Sequence, residues 1–445
     1  MSSPAPLISS ESLIAEVIDN GEISGQQLLV ICLCMFLNML DGFDITAMAI
    51  VGHAVSGELS LPPDLLGWIF SCALAGMMAG AMFLAPLADV IGRRSLIIIS
   101  IALVAASILL TALATSFFEF LALRFVSGLG AGAMLATQAA LAAEYSPERV
   151  RSLSVAIVVA GYPAGALLTS VVAAWVMPEY GWRGMFWFGG GVTLTMGFVA
   201  WLLIPESLKF LIERRPPGAL ERVNRILAKL DRAPVESMPR IAPGAAKSQR
   251  GAIESMWQLL GKQHRILTLT LWLTFFLCFA ALYFLMSWIP LLMQASGYSE
   301  ADGRQSFFLF NLGGVIGIFI MGILSLRLKL TNVVFTLLVG ASIGMAVFAA
   351  VPGRISLLLP IIFVIGLLQQ GGFTGLYSVA AKAYPTELRS TGIGWAIGLG
   401  RFGAVVGPAA AGYLIDAGFD MSTNFYVFAI PMAIGGLIAY RLNIR

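Results

Sequence analysis

Charged residues are scarce in this 445-residue chain: Lys, Arg, Asp and Glu together make up 11% of it, and only 2 histidines are present. A chain of this length could form about three soluble domains. However, 58% apolar residues and a mean hydropathy of +0.88 leave too little polar surface to cover such domains. Lipid must therefore replace water around most of the chain, which indicates a polytopic membrane protein.

Several kinds of functional site are missing as well. No Gly-x-x-x-x-Gly-Lys-Ser/Thr segment is present, so ATP is not the predicted energy source. His53 and His264 are too far apart in sequence to suggest a metal site. The cysteines lie in apolar runs, where we expect no disulfide: Cys32, Cys34, Cys72 and Cys278. No basic patch with interleaved aromatic residues indicates nucleic acid binding, and we expect no cofactor.

Apolar runs between charged or Pro/Gly-rich segments predict an all-α protein with twelve membrane-spanning helices, since about 20 apolar residues cross a bilayer. The predicted spans are 28–52, 65–87, 95–115, 118–143, 152–177 and 185–204, and then 266–294, 306–326, 331–351, 355–381, 391–415 and 423–440. The predicted organisation is an N-terminal tail (1–27), a six-helix bundle (28–204), a central loop (205–263) and a second six-helix bundle (264–445).

Basic residues are distributed unevenly between the two sides of the predicted bundle. One side holds Arg93, Arg94, Arg149, Arg151, Arg327, Lys329, Lys382, Arg389, Arg441 and Arg445, together with the basic central loop. The other side holds only Arg183, Arg304 and Arg354. Because Lys and Arg concentrate in cytoplasmic loops, both termini and the central loop are predicted to be cytoplasmic, in a protein of the cell inner membrane.

An internal repeat supports the division into two halves. Gly128–Ser152 and Gly366–Ser390 are both 25 residues long, and each runs from a glycine-rich helix into Pro-x-x-x-Arg-Ser. The same offset of 238 residues pairs Gly165 with Gly403. Duplication of a six-helix unit is typical of transporters whose binding site lies between the halves near the middle of the membrane.

Two carboxyl groups lie at about mid-depth in the first predicted span. Asn38, Asp41 and Asp44 recur every three residues and so share one helical face. A carboxylate there costs about 2.5 to 3.5 kcal/mol, so these groups need a water-filled cavity, a partner or a proton. They are candidates for proton coupling, with Asn38 as a candidate substrate ligand. The alternative is a structural pair neutralised by an arginine from another helix.

Only two cations lie deep inside predicted spans, Arg124 in the fourth and Arg401 in the eleventh. Both should face the protein interior. A guanidinium group matches a carboxylate in bidentate fashion, so Arg401 is the candidate for binding a substrate carboxylate, unless it pairs with the opposite half. Arg124 lies in the same half as Asp41 and Asp44 and is their candidate partner in proton coupling, with a structural role as the alternative.

Aromatic and amide residues of the second half complete the predicted cavity. The candidates for substrate binding there are Tyr283, Asn311, Gln369, Gln370 and Tyr377, together with the aromatic residues Trp272, Phe275, Phe276, Phe279, Trp288, Phe310 and Phe373. Such a set suits an aromatic ring with polar substituents. Each residue could equally be a packing residue of a membrane helix.

The loop between the second and third spans, Ala85-Pro-Leu-Ala-Asp89-Val-Ile-Gly92-Arg93-Arg94, resembles the G-x-L-a-D-r-x-G-r-r loop of the major facilitator superfamily. It departs from that pattern at Ala85 and Val90, and its counterpart after the eighth span, Ser325-Leu-Arg327-Leu-Lys329, lacks the acid and the glycine. Candidate gating residues on this side are Asp89, Gly92, Arg93, Glu144, Arg151, Glu387 and Arg389. A charge cluster of this kind can hold one conformation closed.

Two further segments resemble the aromatic acid:proton symporters within that superfamily. They are Asp41-Gly-Phe-Asp44 and the segment from Tyr384 through Arg389 and Arg401 to Pro408. The resemblance implies that Asp41 and Asp44 carry proton coupling and that Asp89, Glu144, Arg389 and Arg401 are functionally sensitive. The implied activity is uptake of a small aromatic carboxylate with protons by alternating access. A monomer is expected, because both the sites and the gates can come from one chain.

Two other functions remain open at this point. The same fold could carry a sugar, an aliphatic organic acid or an exported drug. A membrane receptor or enzyme would need a soluble catalytic or output domain, and the central loop has no nucleophile, metal or nucleotide signature. The chain is therefore not expected to be an enzyme.

Overall fold

In the computed structural model, the described residues are 18, 23–230, 232–238, 258–351 and 353–442, without the side chains of 386, 387 and 390. All regular secondary structure within these ranges is helical. The first half begins with four spanning helices: α1 (Gly25–Leu59), α2 (Pro63–Ala79), α3 (Arg93–Thr111) and α4 (Phe117–Glu144). Beyond Ala79, α2 is prolonged by irregular turns and the short helix Ala88–Ile91.

One helical segment, Arg151–Leu203, contains two spans. Its 53 residues would extend about 80 Å at about 1.5 Å per residue, far more than the roughly 30 Å of a hydrocarbon core. Gly181 interrupts it with φ 61° and ψ −166°, a conformation that favours glycine. We call the parts before and after Gly181 α5 and α6, and they correspond to the fifth and sixth predicted spans.

The second half contributes six more helices: α7 (Arg265–Ala295), α8 (Glu300–Arg327), α9 (Leu330–Ala350), α10 (Ile355–Ala383), α11 (Thr386–Asp416) and α12 (Met421–Arg441). Eleven helical segments of the described residues are long and apolar enough to span a membrane, and the segment divided at Gly181 supplies two spans. The predicted twelve-helix membrane fold is therefore confirmed.

Polar residues explain where the helices differ from the predicted spans. At its start α1 has a capping box, in which the Ser24 hydroxyl accepts from Gln27 N at 3.3 Å and the Gln27 amide oxygen accepts from Ser24 N at 2.8 Å. At its end α1 continues seven residues past the predicted limit of 52, through Ser56 and Glu58. Helices that project beyond the bilayer include such polar residues, which an apolar-run criterion leaves out.

Glycines bring pairs of helices into backbone contact, and the pairs repeat in the two halves. A Cβ atom on Gly165 of α5 would overlap the carbonyl of Met39 in α1, and one on Gly403 of α11 would overlap that of Phe276 in α7. Likewise, α2 packs on α4 and α8 packs on α10 through glycines. The 238-residue repeat read from the sequence therefore reproduces the same helix-helix contacts.

The bundle has two ends that differ in charge. We call the end where α1 begins and α2 terminates the basic face, and the other end the opposite face. Two short helices, Leu208–Arg214 and Ala219–Lys229, lie at the basic face. Arg214 Nε donates to the Asp89 carbonyl there at 2.9 Å, which ties the first of these helices to the loop after α2.

The two halves touch each other toward the opposite face. Trp68 of α2 donates its indole N–H to the Tyr413 hydroxyl of α11 at 2.9 Å, and the Ser71 hydroxyl donates to the Val405 carbonyl at 2.6 Å. Nearby, Gly67 of α2 lies against the backbone of α11 at Pro408 and Gly412. These contacts hold α2 and α11 together at that end of the bundle.

We expect Gly165→Ala to lower the stability of the protein, because the added methyl group would overlap the Met39 carbonyl. Overpacking of this kind costs about 1–3 kcal/mol. The control is Gly191→Ala in α6, where a Cβ atom would meet nothing within 4 Å and alanine should favour the helix. Thermal unfolding of the purified protein in detergent should show a lower Tm for the first variant only. Equal Tm values for both would refute the close α1–α5 contact.

Candidate functional site

Asp44 and Arg124 form a fully buried ion pair between α1 and α4. Arg124 Nη1 donates to Asp44 Oδ1 at 2.9 Å, and the Ser127 hydroxyl donates to the other carboxylate oxygen. The guanidinium also donates to Thr111 Oγ1 at 3.3 Å and lies 5.1 Å from the centroid of the Phe186 ring. Both charges therefore have a partner of opposite sign within one half, and the role of the pair in proton coupling stays a prediction.

Asp41 lies one turn before Asp44 but has a different environment. Its residue is 1% exposed, and neither carboxylate oxygen has a hydrogen-bond partner among the described residues. Arg124, predicted as a partner of both acids, therefore bonds to Asp44 alone of the two. The Asn38 amide nitrogen donates to the Val158 carbonyl of α5 at 2.7 Å. This candidate substrate ligand therefore also joins α1 to α5.

Arg401 of α11 is partly buried and forms no ion pair or hydrogen bond with another described residue. Its electrostatic neighbours are the hydroxyls of Tyr377 in α10 and Tyr162 in α5. Tyr162 also lies near Asp41 and Tyr283. Tyr162 is therefore a neighbour of both unpaired charges, the Asp41 carboxylate of the first half and the Arg401 guanidinium of the second half.

An aromatic box in the second half adjoins Arg401. It consists of Phe275, Phe279 and Tyr283 from α7 and Phe373 and Tyr377 from α10. The ring centroids of Phe279 and Phe373 are 4.7 Å apart, those of Phe275 and Tyr377 5.4 Å, and those of Phe279 and Tyr283 6.0 Å. Gly400, the residue before Arg401, packs against Phe275 and Phe279, so the arginine lies beside the box. Such a box suits the flat face of an aromatic ring.

The predicted amide ligands lie on α8 and α10. Gln369 is fully buried, and neither its amide oxygen nor its amide nitrogen has a hydrogen-bond partner among the described residues. Asn311 donates to the Phe307 carbonyl at 2.9 Å and leaves its oxygen unpartnered, and Gln370 packs against Gly314. Of the other aromatic candidates, Trp288 lies outside the box: it bonds to the Pro408 carbonyl at 3.0 Å and packs on Phe70.

The predicted gating residues of the first half meet at the basic face. Arg93 binds Asp89 at 2.8 Å and Glu144 at 3.2 Å, and Gly92 turns the chain between them with φ 98°. Arg151 is the first residue of the helical segment Arg151–Leu203, which follows α4 along the chain. In the second half Arg389 is exposed, and the Glu387 side chain lies outside the described residues. The roles of all these residues stay predictions.

Sequence reasoning missed three residues of these clusters. Tyr162 could have been found from the repeat, because the 238-residue offset pairs Arg401 with Pro163, the next residue. Ser127 lies one turn after Arg124, where a hydroxyl can complete an ion pair. Glu206 lies against Gly92 and accepts from Arg94 N at 3.1 Å, a contact across 112 residues that sequence spacing cannot indicate.

Comparison with known sequences identifies relatives over nearly the whole chain. The family model described as Major Facilitator Superfamily matches residues 31–399 and 306–444. A 4-hydroxybenzoate transporter PcaK of Pseudomonas aeruginosa is 32% identical over 445 residues, covering 98% of this chain and 96% of the relative. A gallate transporter of Pseudomonas putida is 30% identical over 418 residues, covering 94% and 92%. The superfamily resemblance of the Ala85 to Arg94 loop is confirmed.

Solved structures share the fold at low sequence identity. The inward open conformation of the xylose transporter XylE from E. coli has a TM-score of 0.73 and 15% identity, over 94% of this chain and 96% of that chain. A D-xylose-proton symporter has a TM-score of 0.72 and also 15% identity, over 93% and 97%. At this identity the likeness shows the twelve-helix fold alone.

We expect Asp44→Asn to destabilise the protein strongly, because it leaves the Arg124 guanidinium buried without its counter-charge. Breaking a buried pair from one side costs about 3–5 kcal/mol. Asp41→Asn is the matched control: it is the same substitution one turn away on the same helix, but it breaks no hydrogen bond or ion pair among the described residues. Thermal unfolding should therefore give a clearly lower Tm for Asp44→Asn than for Asp41→Asn. The reverse order would exclude the pairing described here.

Proposed function

This chain belongs to the major facilitator superfamily, and from that premise we propose that it carries a small aromatic carboxylate across the membrane together with protons. The observation that carries the proposal is Arg401, a partly buried guanidinium without a counter-charge among the described residues, beside a box of five aromatic rings. Relatives that transport 4-hydroxybenzoate and gallate are consistent with this cargo.

Substrate binding would use both features of the second half. The carboxylate would pair with the Arg401 fork, and the ring would lie between α7 and α10 against Phe279 and Phe373. A sugar has no anionic group for Arg401, and an aliphatic acid would leave the aromatic faces without a partner. The combination therefore favours an aromatic acid over the other cargoes considered from the sequence.

Proton carriage would rest on Asp41 rather than on Asp44. The Asp44 carboxylate is committed to Arg124 and Ser127 in one half. Asp41 has no such partners, and an unpaired acid at this depth must take up a proton, contact water or find a cation. Those are the properties of a group that loads and releases a proton during transport.

Alternating access would expose this site to each side in turn. We propose that the basic face is cytoplasmic, in the cell inner membrane with both termini inside, because Lys and Arg concentrate there. With the halves joined near the opposite face by Trp68 and Tyr413, the present conformation would then be closed to the outside. Both the anion site and the proton site come from one chain, so a monomer suffices.

Proteoliposomes containing the purified protein should accumulate labelled 4-hydroxybenzoate when the pH outside is lower than inside. We expect Arg401→Gln to lower uptake by at least about 100-fold, since removing a charged hydrogen-bonding partner costs several kcal/mol. Arg304→Gln, which removes an arginine paired with Glu300 at the opposite face, is the control and should retain transport. Absence of uptake for every aromatic acid by the folded native protein would reject the proposed cargo.

Asp41→Asn should separate proton coupling from substrate binding. With the proton site fixed in a neutral form, exchange of labelled for unlabelled substrate at equal pH should continue within a few-fold of the native rate. Accumulation against a gradient should be lost, because no proton moves with the substrate. Both activities are measured in the same vesicles by imposing or collapsing the pH difference. Retention of pH-driven accumulation would exclude Asp41 as the proton carrier.

A further inference from the structure

The aromatic box is arranged in three levels along α7 and α10, which run in opposite directions. The level nearest the basic face holds Phe275 and Tyr377, and the middle level holds Phe279 and Phe373. One more turn on each helix leads to Tyr283 on α7 and Gln369 on α10, about 6 Å further toward the opposite face. Tyr283 stacks on Phe279 with its ring at 21°, so the third level continues the same wall.

Arg401 lies beside the lower part of this arrangement, within electrostatic reach of Tyr377 at the first level. Gly400 packs against Phe275 and Phe279, which places the arginine beside the first and middle levels. The carboxylate end of a bound aromatic acid would therefore lie toward the basic face, and its ring at the middle level. A substituent on the ring, away from the carboxylate, would then point to Tyr283 and Gln369.

Gln369 has the properties of an unfilled polar subsite. It is 0% exposed, both of its amide atoms are buried without a partner among the described residues, and it lies one turn from Phe373. A buried amide without hydrogen bonds is unfavourable unless something else supplies them. A phenolic hydroxyl can both donate to the amide oxygen and accept from the amide nitrogen, which an unsubstituted ring cannot do.

We propose that the Gln369 amide and the Tyr283 hydroxyl form a subsite for a phenolic hydroxyl of the substrate, so that hydroxylated benzoates are carried in preference to benzoate. Tyr162 of the first half approaches the Tyr283 hydroxyl. A hydroxylated ring would therefore contact both halves. This assignment rests on the proposed function, and it narrows the proposed substrate from aromatic carboxylates in general to those with a phenolic hydroxyl.

The test compares initial uptake rates of benzoate, 3-hydroxybenzoate and 4-hydroxybenzoate in proteoliposomes, as kcat/KM. For the native protein we expect at least one hydroxybenzoate to exceed benzoate by about tenfold or more, because a site that hydrogen-bonds a substrate hydroxyl rejects the analogue without it. Gln369→Met keeps the length of the side chain and removes the amide. It should bring the ratio close to one by slowing the hydroxybenzoate, with benzoate changed less than about twofold.

Gln138→Met is the matched control, because Gln138 of α4 is also fully buried with both amide atoms unpartnered, but lies outside the aromatic box. It should leave the ratio at its native value. If Gln369→Met does not fold, the rise in Tm of the native protein with each acid is measured instead. It compares the binding of the hydroxybenzoates with that of benzoate without a variant.

Two results would overturn the subsite while leaving aromatic acid transport intact: native rates that are equal for benzoate and both hydroxybenzoates, or an unchanged ratio in Gln369→Met. Transport of none of the three acids by the native protein is a different failure. It would reject the proposed function, and this subsite with it.

Discussion

A charged side chain inside a membrane bundle must be paired, protonated or in contact with water, and the arrangement of this protein follows from that constraint. Two acids and two arginines lie deep in the spanning helices: Asp41, Asp44, Arg124 and Arg401. The structure pairs Asp44 with Arg124 inside the first half. One acid is left in the first half and one cation in the second, on opposite sides of the interface between them.

Binding of a proton and an anion would remove both of these unpaired charges. Under the proposed function, the proton would neutralise the Asp41 carboxylate, and the anion would supply the counter-charge that Arg401 lacks. A protein loaded with only one of them still has one unpaired charge in the interior, and moving that charge through a closed state is unfavourable. The charge balance therefore favours movement of the fully loaded protein over either half-loaded form, which is one requirement for coupled transport.

Much of this could be predicted from the sequence, and the exceptions have physical reasons. Helix number, the repeat and the depth of the four charges follow from apolar runs and spacing. The division of labour between Asp41 and Asp44 could not, because both lie on one face of α1 and only the position of α4 decides which one meets Arg124. For Tyr162 the repeat could have indicated the residue, but its position opposite Tyr283 depends on how the halves meet, which no local pattern encodes.

The glycine contacts within each half keep its helices together when the interface between the two halves changes. Gly165 brings α5 into backbone contact with α1, and Gly403 brings α11 into backbone contact with α7, so Asp41 and Arg401 each lie on a helix packed closely on another helix of the same half. Backbone contacts this close leave little room for sliding inside a half. The halves can therefore move as bodies, and a rotation about the Trp68–Tyr413 end would change the distance between Asp41 and Arg401 while leaving the aromatic box and the Asp44–Arg124 pair intact. Under this scheme, the contacts of the second half with the ring and with its carboxylate stay constant through the cycle, and the contacts of the first half, from Asp41 and Tyr162, vary with the conformation.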